Sequence, residues 1–204
     1  MPQGSDGWEP LPVEDVTELL LGIAAPWWIA GGWALDLHLG RQSRPHHDMD
    51  VLVLREGLSA VRERLRGWDL HAADPPGAGV LRPWPADEVL PAALHDIWCR
   101  RTPSSPWVLQ LMVDDTDGAD WLYRRDSRIR RPVAELHGPA STVARPVLAP
   151  EVQLLYKSRT PRPKDVADFQ RVAGTLAGQQ RAWLRDALAT VAPEHPWLPA
   201  LRPG

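Results

Sequence analysis

Apolar and polar positions along this chain switch between a period near four and a period of two, which predicts a mixed α/β fold. After Pro12 the run VEDVTELLLGIA (13–24) repeats apolar residues at helical spacing and places acids in its first turn, where a helix N-terminus favours them. A short buried strand ending at Ala30, a helix over 33–39, a loop over 40–47 and a strand over 50–54 follow. Residues 58–65 form an amphipathic helix with Arg62, Glu63, Arg64 and Arg66 outward, stopped by Gly67. Strands are predicted at 68–71, 80–82, 96–101 and 107–113 in hairpin-like succession, separated by the turn at 74–77 and by Pro83, Pro85 and Pro103.

From 119 to 149 the pattern is irregular. Pro150 then opens a helix, with two more over 163–176 and 179–191. The expected division is a sheet-containing domain over 1–149 and a helical subdomain over 150–204 that closes one side of a cleft. Residues 1–10, rich in Gly and Pro, are expected to be loose.

Composition narrows the function. At 204 residues the chain can hold one sizeable core, and its net charge of −3 argues against a nonspecific nucleic-acid binder, which needs a basic face. The N-terminus has neither a basic region nor an apolar stretch, and no run of 18 apolar residues exists, so neither a secretory signal nor a membrane partner is expected. A single cysteine, Cys99, suits a reducing cytoplasm. Of 23 basic residues only Lys157 and Lys164 are lysines, so two compact ammonium groups stand out against an arginine background. Among the 11 tryptophans most are expected in the core, and one or two lining a pocket would suit a sugar or aromatic ring.

The chemistry concentrates in IAGGWALDLHLGRQSRPHHDMDVLVL (29–54). If Asp48, Met49 and Asp50 lead into a strand, the period of two puts both carboxylates on one face, roughly 6 to 7 Å apart along the chain. Two such oxygens can share Mg²⁺, which takes one or two carboxylates and fills its octahedron with water and phosphate oxygens. Upstream, Gly31 and Gly32 turn the chain into a helix whose first N–H groups can meet a triphosphate.

GGWALD followed by Arg44, His46, Asp48 and Asp50 as R-x-H-x-D-x-D resembles the signature of the nucleotidyltransferase superfamily in its small, aminoglycoside-adenylyltransferase-like form. PEVQLLYKSRTPRPKDVADF (150–169) resembles the helical segment of the same group. The resemblance implies a mixed sheet flanked by helices, Asp48 and Asp50 as catalytic metal ligands, and transfer of a nucleoside monophosphate from an NTP, AMP from ATP being the first candidate, to a hydroxyl of a small acceptor such as an aminoglycoside. Gly31, Gly32, Arg44, His46 and Lys157 become the nucleotide-binding candidates, with Arg44 able instead to pair with a carboxylate.

The resemblance also implies a third acid on a neighbouring strand. The equivalent polar residue within WVLQLMV (107–113) is Gln110, whose amide cannot act as a base. Asp114 shares its parity and is the first catalytic candidate, Asp96 the second. The competing reading, favoured by Gln110, is a nucleotide-binding module that has lost catalysis and serves as a sensor or partner. The acidic run from Asp114 to Asp120 would steer a polycationic acceptor if it rims the site, and otherwise forms an exposed turn. It does not fit an EF-hand, His46 and His47 lack further zinc ligands, and no Walker loop, G-x-G-x-x-G or G-x-S-x-G occurs. The sequence leaves the oligomeric state open.

Overall fold

The computed structural model of the chain describes residues 7–202, so most of the N-terminal stretch expected to be loose lies outside the described residues. One mixed sheet has the strand order β1-β2-β6-β5-β3-β4, built from β1 (Trp27–Ile29), β2 (Asp50–Leu54), β3 (Asp69–Ala73), β4 (Leu81–Pro83), β5 (Asp96–Arg100) and β6 (Leu109–Asp117). The pair β2 and β6 is parallel, while the other pairings on this path are antiparallel. β7 (Asp120–Leu122) and β8 (Arg130–Pro132) extend the far end of β6.

Helix α1 (Val13–Leu20) buries Val13, Val16 and Leu20. It is shorter than the 13–24 run predicts: the chain leaves the helical path at Leu21 (ψ 129°), and the left-handed Gly22 (φ 71°) completes the turn. With α3 (Leu58–Arg64), α1 covers the sheet face carrying Met49, Val51, Val53, Ile97, Cys99, Leu109, Leu111 and Val113. On the opposite face Leu52, Leu54 and Met112 share a core with α2 (Gly31–Leu39), α4 (Pro150–Ser158), α5 (Pro163–Val172) and α6 (Gly178–Val191). The C-terminal helices thus pack on the same core as α2, and that core takes in residues of β1, β2 and β6 but none of β3, β4 or β5.

Two expectations change. The acidic run after Val113 is not a turn: Asp114 to Asp117 continue β6, and the turn falls at Gly118 (φ 61°). The region 119–149 is less irregular than its pattern suggests, since β7 and β8 are three-residue strands too short to show a period of two.

Candidate active site

Strand alternation builds the site. Met49 is fully buried beneath the sheet, so its neighbours Asp48 and Asp50 both face the other way. Their mutual repulsion and the burial of Asp50 push its pKa up to about 7: desolvation contributes most, the Asp48 charge next, with Lys157 opposing, Asp96 adding to the rise and Lys164 opposing. Asp48, Asp96, Lys157 and Lys164 therefore all lie within electrostatic reach of one carboxylate.

Gly31 sits at the head of α2 with φ 65°, and a Cβ there would lie 2.1 Å from Asp50 Oδ2. At Gly32 a Cβ would lie 2.3 Å from the His46 ring and 2.6 Å from Arg44 Nη2. The glycine pair is thus required by close approach of the acid and of the 40–47 loop. The Gly31 N–H donates to Gln153 Oε1 on α4 at 2.7 Å, while helix geometry leaves the N–H groups of Gly32 and Trp33 without a partner inside α2.

Arg44 and His46 belong to a lattice of bonds behind that turn. The Arg44 fork grips Asp168 through Nε (2.9 Å) and Nη2 (3.0 Å), and Nη1 donates to His46 Nδ1 (3.0 Å) and to the Pro45 carbonyl (3.1 Å). Because Nδ1 accepts from arginine, Nε2 must carry the proton that His46 donates to Asp36 at 2.6 Å. Burial lowers the His46 pKa despite the Asp36 bond, in keeping with a neutral ring. Arg44 and His46 are therefore committed to Asp168 and Asp36, and their contact with a nucleotide is limited to what those bonds leave free.

Lys157 bridges Asp165 and Asp168, at 3.0 Å to each. Burial would raise the Asp165 pKa, yet its bonds from Arg162 and Lys157 and the Lys157 charge outweigh that and bring it down to about 2. Lys164 makes no ion pair among the described residues; burial lowers its pKa while the Asp48 charge raises it. The sequence marked both lysines, and Lys164 has the less committed ammonium. Gln153, Asp36 and Asp168 were missed as supports, although Asp36 and the K-D-x-x-D run lie inside the quoted motifs.

The third acid differs from the expectation. Asp114 is fully buried, pairs in register with Leu54 at the far end of β2, and receives bonds from Trp121 Nε1 (2.6 Å) and the Tyr156 hydroxyl. Four residues along a strand amount to roughly 13 Å, so Asp114 cannot share a ligand with Asp50. Asp96 is the acid whose charge acts on Asp50: it heads β5, is partly exposed, and its Oδ1 accepts from Gln110 Nε2 (3.1 Å) and Arg124 Nη1 (3.3 Å). Gln110 is the register partner of Asp50 and Asp96 lies opposite Met112, two residues further along, so the Gln110 bond draws the Asp96 side chain towards the pair.

The acidic run also lies away from the site. Asp115 pairs with Arg55, and Asp117 and Asp120 with Arg130. Arg124, Arg128, Arg130 and Arg131 are paired with acids in turn, and Arg125 donates to the Tyr156 carbonyl, so the basic cluster is no free anion patch. Two hollows of about 420 and 410 Å³ lie elsewhere, one lined by Tyr123, Arg124 and Arg125, the other by Arg62, Trp68 and Trp84.

Among the described residues no three His, Cys, Asp or Glu side chains form a ready metal cage. A pair of carboxylates beside a helix N-terminus is what Mg²⁺ uses when phosphate oxygens complete its shell, and the donor set of Asp48 and Asp50 fits that ion. No helix among the described residues is long and apolar enough to cross a membrane.

The fold is that of nucleotidyltransferases. It aligns with the lincosamide antibiotic adenylyltransferase LnuA, lincomycin-bound, at a TM-score of 0.52 and 16% identity, over 78% of this chain and 93% of that one. ANT(2'')-Ia in complex with adenylyl-2''-tobramycin aligns at 0.49 and 17% identity, over 88% of this chain and 98% of that one. In sequence, residues 12–71 match the family described as aminoglycoside-2''-adenylyltransferase, a stretch that contains Gly31, Gly32, Asp48 and Asp50. Two 2''-aminoglycoside nucleotidyltransferases, from Escherichia coli and Klebsiella pneumoniae, are each 42% identical over 52 residues, 24% of this chain. The matched stretch spans 29% of the length of these curated relatives. The motif resemblance to small aminoglycoside-adenylyltransferase-like nucleotidyltransferases therefore rests on the stretch that builds the glycine turn and the acid pair.

Proposed function

We propose that this protein is a Mg²⁺-dependent nucleotidyltransferase that moves AMP from ATP to a hydroxyl of a small antibiotic-like acceptor, of the aminoglycoside or lincosamide kind. The observation that carries this reading is the convergence of Asp48, Asp50 and Asp96 on one sheet face beside the N-terminus of α2 and two buried-edge lysines. Asp48 and Asp50 would hold Mg²⁺, which when bound neutralises triphosphate charge. The N–H groups of Gly32 and Trp33 point donors at the phosphates, and Lys164, with Lys157 behind it, offsets their charge. Asp96 keeps Oδ2 free while Gln110 and Arg124 hold Oδ1, so it can take the proton of the attacking hydroxyl. The acceptor oxygen then bonds to the α-phosphorus, the bond from that phosphorus to the bridging oxygen breaks, and pyrophosphate leaves.

The helical segment 150–204 supplies Lys157 and Lys164 as a subdomain against the sheet domain 1–149. A cytoplasmic setting, where ATP and Mg²⁺ are supplied and Cys99 stays reduced, suits the reaction. The reading of a module that has lost catalysis rested on Gln110, and that residue now has a task as the holder of Asp96. The test is pyrophosphate release from ATP and Mg²⁺ with a panel of aminoglycosides and lincosamides, read with the mass of the acceptor. Gain of one AMP by an acceptor supports the reading; nucleotide binding without release across the panel favours the binding module.

A further inference from the structure

Beyond the acids, the same sheet face continues past the core that the C-terminal helices share. Asp50, Gln110, Trp98 and His71 are register partners in one row across β2, β6, β5 and β3, so all four side chains emerge on one face. Trp98 is two strands from Asp50, about 10 Å by strand spacing, and two residues from Asp96 on its own strand. Its alternate neighbours Ile97 and Cys99 are fully buried beneath the sheet, whereas Asp96, Trp98 and Arg100 are only partly buried and join neither apolar core.

Most other tryptophans have structural work: Trp28 and Trp121 are fully buried, Trp197 stacks on Phe169, and Trp84, Trp68 and Trp183 lie under arginines. Trp98 is instead braced by Trp8 at 4.8 Å and Trp107 at 5.7 Å, both edge to face. Beside the row, Asp69 pairs with Arg100 at 2.7 Å and His71 at 3.1 Å, and Arg100 lies over Trp107. Away from the catalytic acids, the row itself holds an aromatic ring and no carboxylate, and Asp69 on the strand next to Trp98 is already paired.

Resting on the function proposed above, we infer that Trp98, braced by Trp8 and Trp107, is the acceptor platform, and that it selects a saccharide ring with an apolar face and few positive charges over a polycation. The nucleotide enters from the α2 and lysine side, and the acceptor lies across β5 beside Asp96. Sugar C–H groups on an indole face bury apolar area without needing counter-charges, whereas a polyamine would seek several carboxylates.

The experiment is calorimetric titration in the presence of Mg²⁺ and a non-hydrolysable ATP analogue, with lincomycin as a pyranoside bearing one basic nitrogen and tobramycin as a polyamine. Wild type, Trp98→Ala and Trp98→Phe are compared. The expected result is tighter binding of lincomycin than of tobramycin, a loss of about tenfold or more in Trp98→Ala, retention of most affinity in Trp98→Phe, and nucleotide affinity equal in all three. Tighter tobramycin binding, lincomycin affinity untouched by Trp98→Ala, or binding of neither compound to the nucleotide-loaded protein overturns the platform and leaves the nucleotidyltransferase reading standing. Failure to bind the nucleotide itself removes both.

Discussion

Gln110 donates its side-chain N–H to Asp96 Oδ1 at 3.1 Å across the β5 and β6 pair, so the amide that stands where an acid is expected serves to fix an acid on the next strand. Asp96→Asn should lower turnover by about 10² to 10⁴-fold, the range for loss of a general base, with nucleotide affinity little changed. Gln110→Ala should cost about tenfold, as expected for one hydrogen bond to a charged group. Steady-state pyrophosphate release with a productive acceptor checks both; equal activity of Asp96→Asn and wild type would return the third role to another residue.

Asp114 predicts the opposite pattern. Fully buried and bonded to Trp121 and Tyr156, it shapes the far end of the sheet. Asp114→Ala should destabilise the fold by about 1 to 3 kcal/mol through the donors it leaves unpaired. Denaturant titration reads this, and whatever protein folds should keep its metal-dependent nucleotide binding.

How much of this the sequence disclosed depends on the range of the interaction. The acid pair and its strand were legible because alternation is local: Met49 inward forces Asp48 and Asp50 outward. The choice between Asp96 and Asp114 was not, since parity places both on the right face and only the bond from Gln110 and the Asp96 charge on Asp50 tell them apart. The tie from Arg44 to Asp168 spans 124 residues, and no local pattern encodes such a pairing. The short strands β7 and β8 hid for a related reason, because three residues carry too little periodicity.

Gly31→Ala should do more harm than its backbone conformation alone implies. Both Gly31 and Gly22 have positive φ, but a Cβ at Gly22 meets nothing within 4 Å while one at Gly31 meets Asp50 Oδ2 at 2.1 Å. Gly22→Ala should cost about 1 to 2 kcal/mol and leave nucleotide binding intact. Gly31→Ala should also displace the carboxylate and abolish Mg²⁺-dependent nucleotide binding. Thermal unfolding and calorimetry on the two variants separate strain from steric conflict.

Metal affinity should follow the protonation of Asp50. Burial and the Asp48 charge raise its pKa from 3.8 to about 7, so below that pH the metal-free site holds a proton that Mg²⁺ must displace. The folded form binds that proton more tightly than the unfolded chain does. The stabilising contribution of Asp50 is therefore present below pH 3.8 and is lost as pH rises to about 7 in the absence of metal. Mg²⁺ affinity, measured with the nucleotide analogue, should climb as pH rises towards about 7 and then level off, with proton release at the lower pH values. A flat profile through that window would contradict the assignment of Asp50 as a ligand.

The most direct test of the central claim is calorimetric titration of the protein with a non-hydrolysable ATP analogue, with and without Mg²⁺, beside the folded Asp48→Asn variant. The account predicts binding that requires both the metal and the Asp48 carboxylate. Binding that persists without Mg²⁺ or in Asp48→Asn, or absent under every condition, would contradict it.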